Sequence, residues 1–169
     1  MRLSRISHRC QDGVVAVEFA ILLIPLLLLV SGVAEFGRAI YQYDALTKSS
    51  RSAARYLSQF AADDPAYPVA MDAATCIAVH GNASCSGPLL VDGLSTSMVV
   101  VCDRVREASA DCGGLKYGFV ETSGAGSPSP TVHLVAVKII GFQYSPMQSF
   151  LNASGITFPE IASVMRQIL

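Results

Sequence analysis

The chain has no tryptophan, only three histidines, and charged side chains at 15% of its 169 residues. His8, His80 and His133 lie far apart. No Ser/His/Asp constellation, glycine-rich phosphate loop or carboxylate pair set for acid–base work accompanies them. An enzyme is therefore not expected, nor is a cofactor. A net charge of -1 gives no basic footprint for nucleic acid. No low-complexity block suggests a disordered tail, and no internal repeat is found.

What is present is a long apolar run. From Val14 to Ala34 the only charge is Glu18. At about 1.5 Å per residue a helix of that length reaches roughly 31 Å, enough to cross a hydrocarbon core of about 30 Å. An acidic side chain near the head of such a span is costly enough to need a reason. Its simplest fate is to snorkel to the interface, one turn away. Pro25, in mid-span, removes a backbone donor, which a membrane helix tolerates when neighbours satisfy the freed carbonyl. Ser31, Gly32 and Gly37 would permit close helix contact. Residues 1–13 form a short basic leader with Arg2, Arg5 and Arg9, which by the positive-inside rule stays in the cytoplasm. Gly32-Val33-Ala34 offers a signal-peptidase site after Ala34. The length of the apolar run and the glutamate at its head argue instead for a retained anchor.

Beyond the span the helical pattern continues. Ile40, Tyr43, Leu46, Ala53, Ala54 and Leu57 recur at three- and four-residue steps, and Lys48, Arg51 and Arg55 cluster on a separate arc. That basic arc is either a solvated face or a contact face for lipid headgroups or an acidic partner. Asp44 stands four residues before Lys48 and can pair with it. One helix from Val14 to Gln59 is expected, transmembrane over 14–34 and amphipathic over 35–59, ended by Asp63-Asp64-Pro65 and Pro68. Residues 60–169 then make a single α+β domain.

Five cysteines fall as Cys10 before the span and Cys76, Cys85, Cys102 and Cys112 after it. Four on one side of a membrane fit two disulfides in an oxidising compartment, with three connectivities open. The local pairing, Cys76 with Cys85 and Cys102 with Cys112, closes the shortest loops and is favoured over free thiols. Cys76, His80 and Cys85 would give a metal only three local ligands, so no metal site is expected.

Within the domain, Val69–Val79 reads as a second helix stopped by Gly81-Asn82. Met98–Cys102 reads as a strand, Arg104–Gly114 as a polar turn, Leu115–Glu121 as a second strand and Ser123–Pro130 as a loop. Thr131–Phe142 is the strongest strand pattern, long enough to bend at Gly141. Pro146–Asn152 suggests one helical turn, and Ile156–Arg166 a last strand weakened by Pro159. The expected fold is a long amino-terminal helix laid across three or four antiparallel strands.

Gly13, four apolar residues, then Glu18-Phe19, all behind a basic leader, resemble the processing site of type IV prepilins. The run from Gly13 to Ser58 looks more narrowly like TadE-like proteins, pseudopilins of the tight-adherence (Tad, or Flp) pilus system. It carries an A-V-E-F-A head at Ala16–Ala20, a leucine-rich span with proline, an E-F-G-R juncture at Glu35–Arg38 and an A-A-R segment at Ala53–Arg55. The resemblance implies a pilin-like fold, cleavage by a prepilin peptidase between Gly13 and Val14, and a docking role for Glu18 beside Phe19. It implies as partners membrane lipid, the peptidase, other pilins or pseudopilins and Tad assembly proteins. It also implies a single-pass protein of the bacterial inner membrane with its domain in the periplasm. The rival is an unprocessed, membrane-anchored periplasmic scaffold or binding protein. Asp92–Ser97 is superficially similar to the D-x-S-x-S motif of longer TadG-type relatives, but its spacing is off by one. Asn82-Ala83-Ser84 and Asn152-Ala153-Ser154 match glycosylation sequons that carry no information in a bacterial protein.

Overall fold

The computed structural model describes residues 12–118, 120–121, 131–147 and 155–167. Helix α1 runs Asp12–Leu57 and α2 Tyr67–His80. The strands are β1 Val99–Cys102, β2 Val120–Glu121, β3 Thr131–Val132, β4 Leu134–Ile139 and β5 Ile161–Arg166. By internal contacts the chain divides into two compact units between Arg38 and Ala39.

The first unit is the apolar part of α1. Its helix continues through Pro25 and is long and apolar enough to cross a membrane, with 0% of its most apolar stretch buried. Phe19, Leu22 and Leu29 are each more than half exposed. An apolar helix surface left uncovered by its own chain is what lipid or another helix would cover.

The second unit is a helix pair on a sheet. Leu46, Ala53, Ala54 and Leu57 of α1 are fully buried, at the spacing of one helical face. Ala53, Ala54 and Leu57 meet Tyr67, Ala70, Ala74 and Ala78 of α2 over Val135 and Val137 of β4. Alanines at these contacts let the two helices and the sheet approach closely, and Leu57 and Tyr67 fill the remaining volume. Ile40 and Tyr43, expected on the same arc, are instead 54% and 42% exposed. The apolar partners at this end, Ile139, Phe142, Ile161 and Phe158, are taken up by Leu46 and Ala45. Tyr43 is left with an edge-on contact to the Phe158 ring at 5.7 Å.

Helix α2 starts two residues earlier than its apolar pattern, because Pro68 sits in its first turn, where a missing N–H costs nothing. It stops at Gly81, whose φ of 77° places its N–H on the Ile77 carbonyl.

The main sheet has the order β1-β4-β5, antiparallel throughout. Val101 pairs with Val137, and Val137 with Ser163. Val135 and Val137 point to the helices, whereas Ala136 packs with Cys102, Cys112 and Tyr117 on the opposite face. The segment 103–118 therefore roofs the second face of β1 and β4. Lys138, on that face and nearly buried, donates to the Asp111 carbonyl at 3.2 Å and to Glu160 at 2.7 Å. These two acceptors offset the cost of placing an ammonium there.

Three expected strands differ in extent. Thr131–Phe142 is two strands: Thr131–Val132 pairs with Val120–Glu121 in a separate two-stranded sheet, and Leu134–Ile139 is the centre of the main sheet. The break falls at His133, whose carbonyl accepts from Gln167. Gly141, at φ 73°, turns the chain after β4 as expected. Of Leu115–Glu121 only Val120–Glu121 is strand, since the N–H groups of Tyr117 and Gly118 are taken by the Glu107 carboxylate. Of Ile156–Arg166 only Ile161–Arg166 is strand. Thr157 makes an isolated bridge to Gln143, and Pro159, lacking an N–H, interrupts the ladder. Pro146 and Met147 are not helical. The rest of the expected turn at 146–152 and the loop 123–130 lie outside the described residues, as do Cys10 and residues 1–11.

Candidate functional site

The amino-terminal residues singled out by sequence sit in the first turns of α1. The Gly13–Val14 bond follows Asp12, the first described residue of α1. A methyl group added at Gly13 would meet nothing within 4 Å. Val14 and Phe19 are 58% and 65% exposed, and Glu18 is exposed between them. Helical geometry places Glu18 four residues from Val14, on the same face. The site is thus a lone carboxylate on an otherwise apolar, uncovered helix, one turn from the Gly13–Val14 bond.

The basic arc is exposed at Lys48, Arg51 and Arg55. Its members are not equivalent. Lys48 pairs with Asp44 at 2.6 Å, and that hydrogen bond, with the carboxylate's charge, holds its ammonium above the ordinary lysine value. Arg51 and Arg55 have no ion-pair partner among the described residues. The arc's uncompensated charge therefore lies on its two arginines.

The disulfides of the structure are the two local pairs. Cys76 joins Cys85 with 4.7 Å between Cα atoms, and Cys102 joins Cys112 with 5.7 Å. They differ in setting. Cys85 is exposed, with a φ of 52°, while Cys102 and Cys112 are fully buried. His80, adjacent to the first pair, has Nδ1 3.2 Å from the Gly87 carbonyl. No cluster of three or more metal-ligating residues occurs among the described residues.

Two features were not singled out by sequence. The first is a buried carboxylate. Asp103 is fully buried. Its Oδ1 accepts the N–H groups of Val105 and Arg106 at 2.8 and 2.9 Å. Its Oδ2 accepts the Tyr67 hydroxyl at 2.9 Å and Arg106 Nη1 at 2.7 Å. Burial, then the Asp103 charge, drives the Tyr67 hydroxyl well above the usual tyrosine value. An Asp opening a polar turn is the sequence signal for the Oδ1 half; the Tyr67 half is non-local and left no trace.

The second is a trough of about 500 Å³ along the outer edge of β1. Met71, Asp72 and Thr75 of α2 form one wall, Val105, Arg106, Ala108 and Ser109 the other, and Val99–Val101 the floor.

Residues 13–55 match the TadE-like protein family. Neither the curated proteins nor the solved structures give a match to the chain.

Proposed function

We propose that this chain, TadE-like over residues 13–55, is a minor pilin-like or pseudopilin-like subunit in the assembly of a Tad (Flp-type) pilus and its secretion machinery. The observation that carries this is the family match falling on a helix whose apolar surface is uncovered and bears one carboxylate, Glu18. A prepilin peptidase would cut between Gly13 and Val14. The helix would hold the subunit in the bacterial inner membrane, and the disulfide-bearing domain would lie in the periplasm. Cleavage would expose a new ammonium at Val14. Glu18 of a neighbouring subunit, in the same low-dielectric layer, would pair with it and set the register between helices. Other pilins or pseudopilins, Tad assembly proteins and membrane lipid are the partners on this reading.

The mature amino terminus, read by mass spectrometry on protein from membrane fractions, tests it. Val14 is expected. Glu35 would indicate signal peptidase, and an intact Met1 would leave an unprocessed anchor; either result removes the pseudopilin reading.

A further inference from the structure

The sheet has two outer edges, and their chemistry is complementary. The Ile140 N–H bonds to the Met98 carbonyl, so the alternation of an antiparallel ladder turns Met98, Val100 and Cys102 toward β4. Val99 and Val101 then point their backbone groups outward. The Val99 N–H is taken by the Thr96 carbonyl, leaving the Val99 carbonyl and both polar groups of Val101 facing the trough. On the other side, the Gln167 N–H bonds to the His133 carbonyl. By the same alternation Ile161, Ser163 and Met165 face β4, and Ala162, Val164 and Arg166 present their backbone groups outward. Among the described residues no strand pairs with either outer edge, and edges of this kind are templates for a further strand.

We infer that the subunits join edge to edge, β5 of one copy seating in the β1 trough of the next to continue the sheet. Because β1 and β5 are both antiparallel to β4, they run parallel to each other. A sheet continued by a repeated copy therefore pairs them in parallel, with the Val101 N–H and C=O bonding to alternate residues of β5. Lateral register follows from the rows already present. Val101, Val137 and Ser163 form one row within a copy, so Val101 meets the Ser163 level of its neighbour, between Ala162 and Val164.

The side chains match as well. Val164 is 50% exposed on the face of β5 that lacks a roof, and Val105, on the trough wall over that same face, is 64% exposed. Seating β5 covers each with the other. On the helix face, Ser50 bonds to Ser163 of β5 at 2.8 Å, while Ala45, Ser49 and Ser52 lie on the flank toward Ile77 of α2. At 100° per residue Arg51 then falls on the β5-side flank of α1. Asp72 stands on the trough-side flank of α2. Continuing the sheet sets α1 of one copy beside α2 of the next, bringing Arg51 to Asp72. Both are exposed and neither has an ion-pair partner among the described residues. The two surfaces are different patches, so the contact is heterologous and propagates instead of closing as a twofold dimer.

The inference deepens the assembly role proposed above, and it is tested apart from it. Self-association of the full-length chain in detergent micelles is measured by sedimentation, for wild type, Asp72→Arg, Arg51→Asp, the double exchange and Val101→Pro. Each single reversal is expected to weaken association by roughly fivefold or more, and the double exchange to restore it. Val101→Pro, which removes an outward N–H and leaves the β1–β4 ladder intact, is expected to abolish it. Failure of the double exchange to restore association, wild-type behaviour of Val101→Pro, or a discrete dimer insensitive to both charges overturns the inference. If Glu18→Ala stops pilus output while these variants associate as wild type, the pilus role stands and edge joining does not.

Discussion

Asp103 gathers hydrogen bonds from two parts of the chain: its own turn, through backbone N–H groups and the Arg106 side chain, and the start of α2. Removing its charge would strand Tyr67 and Arg106, and Asp103→Ala is expected to lower the unfolding free energy by about 2–4 kcal/mol in denaturant melts. Two carboxylates, the half-buried Glu107 and the exposed Asp63, contribute to acid sensitivity. Glu107 is held below the ordinary 4.5 by the Tyr117 and Gly118 N–H groups, and Asp63 below 3.8 mainly by the Arg104 hydrogen bond. A depressed native value means the unfolded chain takes up protons first as pH drops. Their stabilisation is complete above the ordinary values and is lost as pH falls through the lower native ones. Melting temperature is expected to decline below about pH 4.5, with a shallower decline in Glu107→Gln. At Gly13, where a methyl group meets nothing, Gly13→Ala is expected to leave membrane insertion intact and block processing. A Val14 terminus in the wild type that is lost in the membrane-inserted variant would show recognition of Gly13, free of any folding defect.

At the scale of elements, what could be read in the sequence was what is local. The helical course of α1 follows from an apolar run joined to an amphipathic one, and α2 is legible in Val69–Val79 and its stop at Gly81. The i,i+4 pair of Asp44 and Lys48 needed only helix geometry, and it forms. The strands were harder for a physical reason. Thr131–Phe142 has one continuous β-branched pattern, yet His133 sits where two different partners, β2 and β5, divide the strand between them. Partner choice is non-local and leaves no period. Ile40 and Tyr43 kept the helical period but met too little apolar surface to bury them, which periodicity does not register. Of the residues proposed for assembly, Glu18 is legible as a misplaced charge, whereas Asp72, its neighbours in the trough and the unequal pairing along the basic arc depend on the tertiary fold. The two disulfides should also separate by setting. With mild reductant and alkylation followed by mass spectrometry, Cys76 and Cys85 are expected to label first, since Cys85 is exposed and Cys102 and Cys112 are not.

On the scale of the whole molecule, the chain joins a helix with no covering of its own to a domain that buries two helices on a three-stranded sheet. The first unit holds apolar surface in reserve for lipid or neighbouring helices, and the protein is expected to resist carbonate extraction and to require detergent for release. Glu18→Ala is expected to remain just as resistant while pilus output falls, because one fewer charge in the span favours insertion. Normal output from that variant, scored by shed filament, would remove the docking role.

The placement of β4 at the centre of the sheet has a consequence in time. Both edge strands bond to β4 and not to each other, and the buried faces of α1 and α2 close over Val135 and Val137. On the topology proposed above, a domain delivered across the membrane from its α1 end would expose both helices and β1 before β4 arrived to receive them. Cys76 and Cys85 can bond during that interval because their loop is local, but the core waits for residues 134–139, and β5 cannot dock before them. The interval in which this protein is open to proteolysis or wrong pairing would then be set by how quickly β4 and β5 are delivered.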